Sequence, residues 1–147
     1  MGREPRVGTG LSGPKLLPVR DPFDTLRVAM LRTMLRSKLH MARVTEANLE
    51  YMGSLTVDRD LLDAVDMVPM EQIHVANVSN GERFVTYLFE GERGSGVVCV
   101  NGAAARLAQP GDRIIVMAYG LVDESEVADH QPKVAILDDE NRISRVS

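Results

Sequence analysis

From Leu39 onward the chain is written in short runs of β-branched and aromatic residues, four to six long, each stopped by turn chemistry. Runs of that length are strands rather than packed helices. The intervals between them are too short for the crossover helices that a parallel βαβ sheet requires. Arg43–Thr45 ends a first strand. Ile73–Val78 and Phe84–Phe89 are joined across Ser79-Asn80-Gly81, whose Asn-Gly pair suits the positive φ angles of a tight hairpin. Val97–Val100, Ile114–Tyr119 (entered through Pro110-Gly111-Asp112) and Lys133–Leu137 complete about six strands. Three short helical pieces are predicted between them. Thr45-Glu-Ala-Asn-Leu reads as an N-capped turn, and Asp58–Val65 as a helix with Leu61, Leu62 and Val65 on one face. The third begins at Gly102-Ala-Ala-Ala. The pattern predicts a mainly β fold, a closed or nearly closed barrel with brief helices tucked between strands.

The first 29 residues break this rhythm. They hold four of the seven prolines and four of the twelve glycines, and carry +2 of charge, which leaves −6 for residues 30–147. Such a segment buries too little apolar surface to offset its ordering entropy, so it is expected to be a mobile leader, or an upstream extension of a chain starting at Met30. Gly8, Gly10 and Gly13 form a GxGxxG match, but no strand precedes them and Pro14 follows. A dinucleotide site needs a strand before these glycines and a helix after them.

Composition narrows the function. A net charge of −4 opposes nucleic acid and anionic membrane as partners, and aromatics at 4% with no Trp give little material for stacking bases. No run of about 20 apolar residues suggests a membrane span, and the N-terminus does not read as a secretory signal. One cysteine, Cys99, excludes an internal disulfide and suits a reducing, cytoplasmic setting. His40, His74 and His130 lie far apart and in no metal-ligand spacing with Cys99, so no metal site is expected. Gly94-Ser95-Gly96 precedes a strand and reads as a bend rather than a nucleophile elbow.

Taken singly, the polar residues are bland. Gly53-Ser54 is a turn pair, Tyr87 a strand aromatic, Arg83 a solvated charge beside a turn, Thr86 a β-former, and Ala103–Ala105 a tight helix start. Their company is specific. Met30-Leu-Arg-Thr-Met-Leu-Arg-Ser-Lys-Leu-His40 is followed by Leu49-Glu-Tyr-Met-Gly-Ser54 and by Asn80-Gly-Glu-Arg-Phe-Val-Thr-Tyr87. Glu92-Arg-Gly-Ser-Gly-Val-Val-Cys-Val-Asn-Gly-Ala-Ala-Ala105, Pro110-Gly-Asp112 and Gln131-Pro-Lys-Val-Ala135 come next. In order and spacing these blocks resemble the bacterial pyruvoyl-dependent aspartate decarboxylases over residues 30–144.

The resemblance implies a double-psi β-barrel and a homotetramer with active sites between subunits. It also implies that the precursor cuts itself between Gly53 and Ser54, into a 1–53 chain and a 54–147 chain. Ser54 would attack the Gly53 carbonyl to give an ester. Elimination then leaves dehydroalanine, which hydrolyses to a pyruvoyl group and ammonia. Gly53 suits the attack because it has no side chain. Thr86 would hydrogen-bond the Gly53 carbonyl oxygen. The pyruvoyl ketone would form a Schiff base with L-aspartate and act as the electron sink, with no metal and no pyridoxal phosphate. β-Alanine, the pantothenate precursor, is the product.

Tyr87 would return the proton, Arg83 and Lys38 would hold carboxylates, and the N–H groups of Gly102, Ala103 and Ala104 would face an anionic group. Asn101 and His40 would support these from behind. Two departures stand out: Met52 precedes the scissile glycine where some relatives have an acid, and the leader matches nothing in the family. The competing expectations are an N-terminal-nucleophile hydrolase, which would keep a free Ser54 amine after cleavage, and a non-enzymatic β-barrel assembly module.

Overall fold

The computed structural model describes residues 29–147. The leader reading, with its glycine motif at Gly8, Gly10 and Gly13, therefore lies outside the described residues except for Ala29. The described chain is mainly β, as its strand rhythm predicts, and builds one nine-stranded sheet. In chain order the elements begin β1 (Leu31–Arg43), β2 (Glu46–Asn48), β3 (Ser54–Asp58), α1 (Arg59–Ala64), β4 (Gln72–Asn77) and β5 (Arg83–Gly91). They continue with β6 (Val98–Asn101), a 3-10 turn (Gly102–Arg106), β7 (Arg113–Asp123), a second 3-10 turn (Val127–Asp129), β8 (Lys133–Leu137) and β9 (Ile143–Val146). The strand order is β2-β6-β3-β5-β4-β7-β1-β8-β9. Three of the pairings, β1 with β8, β2 with β6 and β3 with β5, are parallel. None of the described helices is long and apolar enough to cross a membrane.

The sheet curls so that its distant parts meet. Beyond β1, Thr45 N donates to Val98 O at 2.8 Å and Thr45 Oγ1 accepts from Val98 N at 2.9 Å, which joins the exit of β1 to β6. Asn141 completes the join. Its Nδ2 donates to Arg43 O and Gly96 O, both at 2.8 Å, and its Oδ1 accepts from Arg43 N at 2.7 Å. Asn141 is 3% exposed and sits at φ 58, a left-handed conformation that asparagine tolerates better than most residues. Inside the curl, Leu39, Leu55, Val57, Leu62, Ile73, Leu88, Val98, Ile114 and Val116 form one fully enclosed core. Burying each such side chain is worth roughly 1.5–3 kcal/mol.

The predicted Asn-Gly hairpin is present as β4 and β5, paired antiparallel from Gln72–Tyr87 to Ala76–Arg83. The predicted Asp58 helix is α1, capped by Asp58 Oδ1 accepting from Asp60 N at 2.9 Å. Two expectations need correction. Thr45–Leu49 is not a helical turn: Glu46–Asn48 is β2, paired in parallel with β6. The Thr45 hydroxyl that would have capped a helix is instead spent on Val98, which pulls the segment into the sheet. The described residues also form nine strands rather than about six. β3 was concealed by the turn-like Gly53-Ser54 pair, and β9 is exposed at all four positions, so it carries no apolar alternation.

Replacing Asn141 by Ala strands Arg43 N, Arg43 O and Gly96 O and places a less tolerant residue at positive φ. Urea denaturation is expected to show a loss of about 2–4 kcal/mol.

Candidate active site

β3 and β6 run antiparallel with Ser54 opposite Asn101 and Thr56 opposite Cys99. On the other face of this ribbon Leu55, Val57, Val98 and Val100 enter the core. Ser54 is the first residue of β3 and only 1% exposed, yet its Oγ has no hydrogen-bond partner among the described residues. A buried hydroxyl left unpaired costs about 1–3 kcal/mol, so it marks a place where something other than stability is served.

Just upstream, Tyr51 and Met52 are exposed, and Gly53 turns the chain into the strand. Gly102 closes on it from β6. It sits at φ +63, and a Cβ there would lie 2.6 Å from Gly53 Cα and 3.0 Å from Gly53 N. Only a glycine allows the two main chains to come this close.

A cavity of about 290 Å³ opens beside this contact. Gly53 and Ser54 form its floor, Phe84–Tyr87 of β5 one wall, and Asn101, Ala103, Ala104 and Leu107 the other. Thr86 and Tyr87 reach the cavity because β5 lies next to β3 in the sheet. The Tyr87 ring is steadied edge-on by Phe89, with centroids 5.5 Å apart at 89°. The small side chains of Ala103 and Ala104 leave the space open. Leu107 is anchored through its carbonyl, which accepts from Asn77 Nδ2 at 3.1 Å and Asn80 Nδ2 at 3.0 Å.

Of the residues singled out in the sequence, the cavity thus gathers Gly53, Ser54, Thr86, Tyr87, Asn101, Ala103 and Ala104, with Gly102 packed behind it. Lys38, His40 and Arg83 are not there. Lys38 and His40 lie on β1, four strands from β3 in sheet order. The register Lys38–Met117, Met117–His74 and His74–Val85 puts Lys38 on the outer face that also carries Arg83, Val85, His74 and Tyr119. Neither Lys38 nor Arg83 has an ion-pair partner among the described residues. His40 Nδ1 is buried and has no hydrogen-bond partner among the described residues. Burial first, and the charge of Lys38 second, hold its pKa below the ordinary 6.5, so the ring is neutral at neutral pH.

The sequence reading missed Phe84 and Leu107 as lining and Thr56 and Cys99 as neighbours of the site. The last two were within reach, because period-2 alternation puts Thr56 on the face of Ser54 and Cys99 on the face of Asn101. Among the described residues no three His, Cys, Asp or Glu side chains cluster as metal ligands would.

By comparison with known proteins the site is of the decarboxylase class, that is, a carboxy-lyase. The family model for aspartate decarboxylase matches residues 30–144, and the chain belongs to that family. Aspartate 1-decarboxylase of Bacillus cereus (strain G9842) is 60% identical over 114 residues, covering 78% of this chain and 90% of that protein. The corresponding enzyme of Geobacillus sp. (strain WCH70) is 58% identical over 117 residues, 80% of this chain and 92% of its own length.

Two outcomes follow from the geometry. Gly102→Ala adds a methyl group against Gly53 in a left-handed conformation, and is expected to cost at least about 2 kcal/mol in thermal or urea unfolding. An unchanged midpoint would contradict the close approach. For His40 the folded pKa is depressed, so the unfolded chain takes up the proton first as pH falls. Stability is then full above about pH 6.5 and is lost as pH drops through the folded-state pKa. Denaturation at about pH 7.5 and about pH 5.5 should show that loss, and a smaller one in His40→Gln.

Proposed function

We propose that the chain cuts itself between Gly53 and Ser54 and decarboxylates L-aspartate at the 1-position to β-alanine and CO2, using a pyruvoyl group made from Ser54. The carrying observation is the buried, unpartnered Ser54 Oγ on the floor of the cavity, next to a residue with no Cβ. The residues present fit a pyruvoyl group: it would take the place of the Ser54 side chain, and Ala103 and Ala104 line the same cavity with only small side chains.

In the self-cleavage the Ser54 hydroxyl adds to the Gly53 carbonyl carbon, its proton passes to the Ser54 nitrogen, and the amide C–N bond breaks to leave an ester and a free amine. A hydroxyl is a weak nucleophile at neutral pH, so position and stabilisation of the oxyanion supply the rate. The Thr86 hydroxyl would donate to the Gly53 carbonyl oxygen. Loss of the Ser54 α-proton expels the Gly53 carboxylate across the Cα–Cβ bond. Water then converts the remaining dehydroalanine to a ketone and releases ammonia.

Once formed, the pyruvoyl group supplies the electron sink that makes loss of an α-carboxylate possible. The chain's own residues do the rest. Tyr87, on the cavity wall and steadied by Phe89, returns a proton to the product carbon. The N–H groups of Gly102, Ala103 and Ala104 orient an anionic group, with Asn101 behind them. Arg83 offers a bidentate fork to a substrate carboxylate and Lys38 a second positive charge, with His40 neutral beside it. Since Lys38 and Arg83 share an outer face in a single chain, a homotetramer with sites between subunits is the arrangement that would bring them to the cavity. Exposed Val85, Tyr119 and Leu121 beside them suit such a boundary. The proposal extends to a cytoplasmic enzyme supplying β-alanine for pantothenate, with the leader carried on the fragment that ends at Gly53.

The test is the intact mass of purified protein after warm incubation, followed by an aspartate assay. Two fragments are expected, the second blocked to Edman chemistry and reactive to hydrazine, while Ser54→Ala stays whole. Tyr87→Phe should still cut but lose decarboxylation by about 100-fold or more. A persistent single chain with no reactive carbonyl would sink the proposal, and a readable N-terminal serine would point to a hydrolase instead.

A further inference from the structure

The face of β3 and β6 that carries Ser54 is a polar ladder of two successive cross-strand pairs, Ser54–Asn101 and Thr56–Cys99. Three of its members form a chain of hydrogen bonds. The Cys99 thiol donates to Asn101 Oδ1 at 3.1 Å, and Asn101 Nδ2 donates to Thr56 Oγ1 at 3.0 Å. Asn101 is 3% exposed and Cys99 7%, so water cannot replace these partners cheaply.

A carboxamide has two orientations that exchange its oxygen and its NH2. Thr56 alone cannot choose between them, because a hydroxyl both donates and accepts. A thiol is a weak donor and a weak acceptor, and at 3.1 Å the Cys99 Sγ contact is with Oδ1, so Cys99 tips the choice. The proton needed for that role is kept. Burial, and then the charge of Glu46, push the thiol pKa up, so it stays protonated. With Oδ1 taken by Cys99 and one Nδ2 hydrogen by Thr56, Asn101 keeps a second N–H uncommitted at the cavity it lines with Ser54.

We infer that Cys99 and Thr56 are positioning residues that hold the Asn101 carboxamide in one orientation, so that it offers the site a donor and not an acceptor. A donor there suits the oxyanion of self-cleavage and the carboxylates of the substrate, whereas a carbonyl oxygen would repel both. The inference rests on the proposed self-cleavage and decarboxylation for its kinetic consequence, but not for its geometry.

Cys99→Ala and Thr56→Val remove the two partners with little change in volume, and Cys99→Ser and Thr56→Ser restore a hydroxyl. The first pair is expected to cut at least about tenfold more slowly and to lose kcat with KM little changed; the second pair should recover most of both. In full-length protein labelled with 15N-asparagine, the Asn101 side-chain amide protons should exchange slowly in the wild type. They should shift and exchange faster in Cys99→Ala and Thr56→Val.

Wild type that is active alongside equally active Cys99→Ala and Thr56→Val would overturn the inference and leave the proposed function standing. Wild type that neither cuts nor decarboxylates overturns the function instead, and the amide exchange then decides the inference: unchanged Asn101 protons in both variants would end it. Losses that follow the thermal midpoint equally in the alanine and serine variants would reduce Cys99 to simple packing, and would overturn it as well.

Discussion

The antiparallel register of β3 on β6 is the constraint on which the site depends. Strand side chains alternate faces, so a slip of one residue would turn Ser54 into the core and bring Leu55 to the cavity. The register is held from both sides. β5 pairs with the outer edge of β3 from Leu55 to Asp58, and β2 with that of β6 from Glu46 to Asn48. Apolar Leu55, Val57, Val98 and Val100 reward only this alignment, because it alone sends all four to the core. An unpaired buried hydroxyl at Ser54 is tolerable only in so determined a frame.

The cavity wall opposite is fixed at both ends. At one end Gly102 lies against the Gly53 main chain, where a side chain would collide. At the other, the Asp112 carboxylate accepts from Asn77 Nδ2 at 2.8 Å and Gln109 N at 3.0 Å, while Asn77 also donates to Leu107 O. The buried charge is therefore well solvated by protein donors, which avoids the penalty of leaving it bare. The short 3-10 turn between these ends has too few internal bonds to define its own position. Its surroundings define it. By comparison, the ion pairs Arg59–Asp63 and Arg93–Asp60 on the surface join exposed groups in high dielectric and contribute little.

The cations are arranged on a different principle. Lys38 and Arg83 sit on the outer face of the sheet with no ion-pair partner among the described residues, while several other arginines of the chain are paired. Leaving a guanidinium or ammonium free keeps it available to an anionic partner, since an internal carboxylate would compete for it. Its neighbour His40 stays neutral through burial and through the nearness of Lys38 itself. The neutral ring therefore adds no third like charge.

Much of the fold was legible in local chemistry. Asn80-Gly81 supports one turn geometry readily, Asp58 caps only the residues that follow it, and alternating apolar residues in 73–89 can bury one face only as strands. The resemblance carried by the residue blocks pointed to the family, and to Ser54, Thr86, Tyr87 and Asn101, before any coordinates. What local chemistry could not decide were the pairings between segments remote in sequence. Thr45 became a bridge to Val98 rather than a helix cap because β6 was there to receive it. β9 formed because β8 offered an edge. Thr56 became a partner of Asn101 only through the register of two strands, 45 residues apart in the chain, whereas Cys99 reaches Asn101 along β6 itself. The placing of Lys38 four strands from Ser54 and of Arg83 outside the cavity lining was equally invisible, because strand order in a sheet depends on long-range closure and leaves no periodic mark in the sequence. The amino acids themselves determined which segments extend and which turn; packing of the whole chain decided which of them meet.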